Sequence, residues 1–295
     1  MNFLTFLQQN WEELLTLLRQ HLALVLISTF VAVLIGVPTG ILLTRKKSLR
    51  GPVLGIANVM QTIPSLALFG FLIPLPFIGG IGARTATIAL VLYALLPIIR
   101  NTVTGILGVD PTIREAAVAM GMTDRQILSQ VELPLAIGVI LTGIRVAMVI
   151  SVGVATIAAA VGAGGLGVYI FRGLRQYDNN LLLAGAVPAA LMALAADFSL
   201  GLAEKAFSTK GGRRTSPKRK VLLAATIIAV VLGAFGLWRG ARSSSRSTQG
   251  SEQVVVASKD FTESVLLSEI LAQMLEARGV HVVRQFELGG NLPHE

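Results

Sequence analysis

The chain has 295 residues, 53% of them hydrophobic and only 14% charged, where a soluble domain carries roughly 25% charged residues; the composition is that of a membrane protein. Cysteine is absent, which excludes disulfide staples, thiolate metal sites, iron–sulfur clusters and cysteine nucleophiles. The formal net charge of +9 is compatible with nucleic acid in principle, but the placement of the basic residues points to membrane topology instead.

Residues 2–18 come first. Phe3, Leu7, Trp11, Leu14, Leu15 and Leu18 recur at helical spacing with Gln8, Gln9, Glu12 and Glu13 between them. That pattern predicts an amphipathic helix lying on the membrane surface. It lacks the basic start and small-residue cleavage site of a signal peptide. Crossing a bilayer takes about 20 mostly apolar residues, and six stretches supply them: residues 22–44, 52–73, 84–106, 135–160, 181–203 and 221–238.

Alternate connections differ in basic content. One set carries Arg45, Lys46, Lys47 and Arg50, then Arg114 and Arg125, then Lys205, Lys210, Arg213, Arg214, Lys218, Arg219 and Lys220. The other carries Arg84, Arg172, Arg175, Arg239, Arg242 and Arg246. The richer set is cytoplasmic, which puts both termini outside and suits contact with anionic lipid heads. Nucleic acid is not an expected partner.

The connection between the third and fourth spans, within residues 108–134, carries the most local signal. Asp110 followed by Pro111 is a helix start, and the helix it opens ends at Gly121. A second short helix begins at Thr123, with Gln126 completing a capping box, and Pro134 opens the fourth span. We expect two short helices at right angles to the spans, forming a cytoplasmic docking knob.

Within the spans, Asn58, Gln61, Thr62 and Ser65 fall on one helical face. They either line the translocation path or hydrogen-bond to neighbouring helices. Pro64 is expected to kink that span. Gly36 and Gly40 form a GxxxG pattern suited to close intrachain packing. Arg145 and Asp197 are read as the only charges well inside spans, and either pair or snorkel separately. Gly162, Gly164 and Gly167 satisfy a dinucleotide pattern but follow an apolar span rather than a strand, so a glycine-bent helix end near the outer gate is expected. No phosphate loop of the G-x-x-x-x-G-K-[ST] type occurs, and His21, His281 and His294 are not clustered. No cofactor, metal or enzymatic activity is expected of this chain.

Residues 240–253 read as a flexible polar linker. Beyond it, Val254, Val255, Val256 and Ala257 read as a strand. Residues 262–278 read as a helix with Asp260 and Glu263 as its capping box and Gly279 as its stop. Residues 280–288 read as a second strand before a turn at Gly289, Gly290 and Asn291. This strand–helix–strand unit opens an α/β sheet. The sequence ends at Glu295, too soon to bury a core, and we read residues 254–295 as the incomplete beginning of an extracytoplasmic domain.

Glu115-Ala116-Ala117, three residues, Gly121, nine residues, Val131, one residue and Leu133-Pro134 resemble the EAA loop of bacterial ABC importer permeases, which usually carries isoleucine where Val131 stands. Three further segments, Gln61 to Leu68, Leu92 to Thr102 and Gly162 to Gly167, are similar to permeases of the glycine betaine/carnitine/choline group. The run Ala257 to Glu263 is similar to the opening of that group's quaternary-amine-binding domain. The resemblance implies an all-α polytopic domain with the type I importer permease fold, followed by an α/β periplasmic-binding-protein-like domain. It implies a cytoplasmic ATPase subunit that receives the loop in a groove, a homodimer of permease chains, and import of an osmoprotectant solute. By the same resemblance Ala116 and Ala117 allow close approach, Gly121 permits the bend, and Lys259, with Thr262 nearby, contacts a zwitterion's carboxylate. Import of another small solute such as ergothioneine, an ion-gradient transporter and a membrane-anchored sensor are the remaining alternatives.

Overall fold

The structure is a computed structural model that describes residues 3–76, 79–207, 254–258, 262–279 and 282–285. The predicted sixth span at residues 221–238 and the linker at 240–253 lie outside the described residues. Helix α1 spans Phe3–Gln9 and α2 runs Trp11–Arg45; α3 spans Lys47–Thr62 and α4 Ser65–Leu72; α5 runs Ala83–Leu107. After these come α6 (Pro111–Ala119), α7 (Asp124–Gln126), a π-helical turn (Ile127–Glu132), α8 (Leu133–Ile157), a 3-10 turn (Ala158–Val161), α9 (Gly167–Gln176) and α10 (Asn179–Phe207).

The N-terminal segment departs from expectation. Only Phe3–Gln9 forms a separate helix; from Trp11 onward the chain is already the first long helix, about 50 Å at 1.5 Å per residue. Phe6, Leu14 and Leu17 bury against Leu166, Tyr169, Leu181 and Ala184, while Trp11 stays exposed. Protein rather than a lipid surface covers this apolar stripe. Glu13 anchors it, accepting from the Tyr169 hydroxyl at 2.9 Å and pairing with Arg172 at 3.1 Å.

The predicted second span is two helices, α3 and α4, that meet at 103°. Pro64 has no N–H to continue the helix, and it forces Ile63 into an extended conformation (φ −68°, ψ 127°). The result is a break where sequence alone predicts a kink. Even so, the bent pair carries the chain from one side to the other. Its start adjoins Arg45, at the end of α2, and Gly82, at the head of α5, bonds Val161 at the far end of α8.

Small residues bring α2, α5 and α8 together. A Cβ on Gly36 would lie 2.8 Å from Ile98, and one on Gly40 would lie 2.5 Å from Thr102, so the GxxxG seam packs against α5 of the same chain. Gly143 faces Asn101 and the Pro97 carbonyl in the same manner. Leu24, Val25, Leu90 and Val152 fill one half between these helices, together with Leu68 and Phe69 of α4. At the glycine segment, Gly162, Gly164 and Gly165 all have φ between 73° and 82°. The Gly165 N–H donates to Gln20 at 3.1 Å, which seats this helix-ending bend against α2.

The C-terminal unit is separate in sequence. Strands β1 (Val254–Ala257) and β2 (Val282–Gln285) pair in parallel around α11 (Thr262–Glu276). Val256, Ala272 and Val282 form its core. Arg284 bridges Glu269 at 3.0 Å and Glu276 at 2.6 Å. The helix stops at Glu276, slightly before its expected end, and the described strand falls inside the range expected for it.

Candidate functional site

The connection between α5 and α8 is shaped by local chemistry. Asp110 caps α6, its carboxylate accepting from the Thr112 N–H at 2.9 Å and hydroxyl at 2.7 Å. Those bonds hold its carboxyl below the ordinary carboxylate value. At the other end of α6, Met122 N–H bonds the Ala117 carbonyl and Gly121 N–H bonds that of Val118. This is a Schellman closure, and it puts Gly121 at φ +76°. Thr123 and Gln126 then exchange both hydrogen bonds of a capping box.

The second short helix does not stand alone. From Asp124 the chain runs as one continuous helix to Val161, passing through the π turn, where Leu133 N–H reaches back to Leu128. Pro134 falls in the first turn of α8 rather than opening a new helix. A missing N–H costs little beside a turn whose bonding register already changes.

Glu115, Ala116 and Pro134 are exposed, Val131 and Leu133 are half-buried, and Ala117 is buried. The close approach at Ala117 is therefore within the chain. Three large apolar side chains of α6 and its C-cap are exposed along with Glu115: Ile113, Val118 and Met120, the last at 74%.

Between Val131 and Leu133 sits a residue that the sequence pattern does not single out. Glu132 is only 2% exposed. Its carboxylate accepts from Arg45, the last residue of α2, at 2.5 and 3.4 Å, and pairs with Arg114 of α6 at 3.5 Å. It joins three elements at one buried carboxylate. No periodic signal marks a single glutamate near a proline, and Arg45 stands 87 positions away in sequence.

The polar residues expected along the second span are divided by the break. Asn58 accepts from Arg100 of α5 at 2.9 Å, and Gln61 donates to the Tyr93 carbonyl at 3.1 Å. Pro97 leaves that carbonyl without a helical donor. In return the Tyr93 hydroxyl donates to the Ile63 carbonyl at the break. Thr62 bonds Val59 in its own helix. Ser65 belongs to α4, so the four do not share one face.

Arg145 and Asp197 are brought together in a two-pronged pair, at 2.6 and 2.8 Å, and Glu204 approaches the same guanidinium at 3.4 Å. They are not the only charges within spans, because Arg100 also lies inside one, while Glu204 stands near the end of α10. Lys259 lies outside the described residues, as do Asp260 and the Glu263 side chain. Thr262 is the first residue of α11, its side chain likewise outside the description.

Residues 22–209 match the family of binding-protein-dependent transport system inner membrane components. The chain belongs to that family. It is a multi-pass inner membrane protein. Residues 252–294 of this permease match the substrate binding domain of the ABC-type glycine betaine transport system. The carnitine transport permease protein OpuCB of Listeria monocytogenes is 45% identical over 209 residues, covering 71% of this permease and 94% of its own chain. The osmoprotectant import permease protein OsmW of Salmonella typhimurium is 45% identical over 215 residues, covering 72% and 100%. Among solved structures, an inward-facing MetNI methionine ABC transporter superposes with TM-score 0.59 at 28% identity, covering 64% of this permease and 93% of that chain. These relatives are transporter permeases, not enzymes.

Proposed function

We propose that this permease imports small quaternary-amine solutes of the glycine betaine, carnitine and choline type. ATP is hydrolysed by a separate cytoplasmic subunit that grips the α6 loop. The observation that carries this reading is the loop itself. Its exposed face pairs Glu115 with the apolar Ile113, Val118 and Met120 outside any span. Such a patch is costly to leave in water and suits burial by a soluble partner.

One chain supplies one loop, so two copies related by a twofold would engage two ATPase subunits. Solute is delivered from the C-terminal unit outside, where Lys259, with Thr262 nearby, would meet the carboxylate of a zwitterionic solute. Closure of the ATPase pair pushes the α6 loops, and the helices then open inward. Asn58, Gln61, Thr62 and Ser65 would border the path, and lipid heads would meet the basic cytoplasmic connections.

The test is reconstitution of the full chain with its ATPase in liposomes and measurement of labelled solute uptake. ATP-dependent uptake of betaine, carnitine or choline is the expected result. Uptake that persists without the ATPase would overturn the reading, and so would competition by unrelated amino acids but by none of these amines.

A further inference from the structure

We propose that Glu132 is a positioning residue for energy coupling, the joint that makes α6, α8 and the foot of α2 move as one body. This rests on the importer reading above and extends it to a residue outside the recognised loop motif. The two glutamates of the loop face opposite ways. Glu115 is exposed on α6, available to a partner, whereas Glu132 turns inward and is 2% exposed.

Its bonds tie structures that the backbone leaves independent. Arg45 ends α2, and Arg114 lies on the helix that receives the push. Without the carboxylate, a force on α6 passes through its two backbone connections, back to α5 across residues 108–110 and on to α8 through the continuous helix from Asp124, with no bond to the foot of α2. With it, the same force reaches α2, whose glycines seat α5. The charge count makes the joint asymmetric. One carboxylate serves two guanidiniums, so its removal leaves like charges facing each other, while removal of either arginine leaves one pair intact. Arg45 and Arg114 are 31% and 50% exposed, so water reaches both. The π turn that ends at Glu132 is a type of irregularity found often at functional sites.

The test uses the full chain with its ATPase in liposomes, reading hydrolysis and uptake from one sample. Glu132→Gln keeps the side-chain shape and removes the charge. We expect it to assemble and to retain hydrolysis, while solute moved per ATP falls about tenfold. Because the chain has no cysteine, spin labels at Lys46→Cys and Ala119→Cys report the α2–α6 distance directly. That distance distribution should be narrow in the otherwise wild-type chain and broad once Glu132→Gln is added. A residue needed for folding alone would lower hydrolysis and uptake in parallel, and that outcome counts against the joint. If Glu132→Gln does not assemble, Arg114→Gln decides: it should broaden the distance and lower the transport ratio. A ratio within about twofold of wild type, with an unchanged distance, overturns the proposal. Absence of ATP-driven uptake in the wild type would sink the importer reading instead, and the distance measurement would still judge the joint.

Discussion

Two ion clusters, one at the cytoplasmic foot and one within the spans, are built in opposite ways. At the foot the minority ion is an anion. Glu132 is sealed from water while its two arginines remain partly exposed. In the spans the minority ion is a cation, and Arg145, Asp197 and Glu204 are all partly exposed, at 33%, 43% and 29%. A sealed central ion leaves no way for solvent to replace a lost partner, whereas an open cluster holds a spare. The first design fixes a geometry, and the second keeps charge satisfied while helices shift.

The sharpest way to break this contrast is to delete the centre of one cluster and an arm of the other. Hydrogen bonds to a charged group contribute about 1.5–3 kcal/mol, and Glu132→Ala removes those from Arg45 while leaving Arg45 and Arg114, both reached by water, facing each other. It should lose stability on that scale, read as thermal unfolding of the purified permease in lipid nanodiscs. Asp197→Asn should lose much less, because Glu204 already lies 3.4 Å from Arg145 and takes over its charge. Equal losses from the two variants would mean that sealing is not what separates the clusters.

A smaller effect tests whether the foot is held in one geometry. Gly121 sits at φ +76°, where a Cβ costs about 1–2 kcal/mol. No heavy atom lies near the site a Cβ would occupy, so the penalty is purely conformational. Gly121→Ala should lower the unfolding temperature of the permease and loosen its grip on the ATPase. Gly121→Asn should do less harm, since asparagine visits that conformation more readily. If alanine and asparagine behave alike, the left-handed turn is not the constraint.

Legibility in the sequence follows the range of the interaction. Asp110 with Pro111, Gly121, and Thr123 with Gln126 are readable because a cap is settled by residues within one turn. Span positions are readable because apolar length is itself the requirement. The Arg145–Asp197 contact can be argued as one of two options, since an isolated charge at that depth is costly. Glu204 escapes notice because a glutamate near a helix end reads as solvated. The angle at Pro64 is not readable: whether proline kinks or breaks a helix depends on what satisfies the backbone left unpaired there, and for the Ile63 carbonyl at this break that group is the Tyr93 hydroxyl, 30 residues on. The N-terminal stripe is visible, but periodicity does not say whether lipid or protein covers it. Glu132 is the largest omission, because its significance lies entirely in two distant arginines.

The smallest expected effect concerns the rim of the same foot and turns on pH. Asp110 is exposed, so its charge is screened, yet the Thr112 hydroxyl and N–H hold its carboxyl below the ordinary value of 3.8. A carboxyl lowered in the folded state stabilises that state above its ordinary value and loses the contribution as pH falls through the lowered one. Asp110→Asn keeps a capping oxygen and removes only the charge at the start of α6, where a negative charge is favoured. Wild type should therefore unfold slightly above Asp110→Asn at neutral pH, and the gap should close as the solution is acidified below the carboxylate range. A gap that widens in acid would show that the cap works through the neutral carboxyl, and it would remove the charge from the account of how α6 is held.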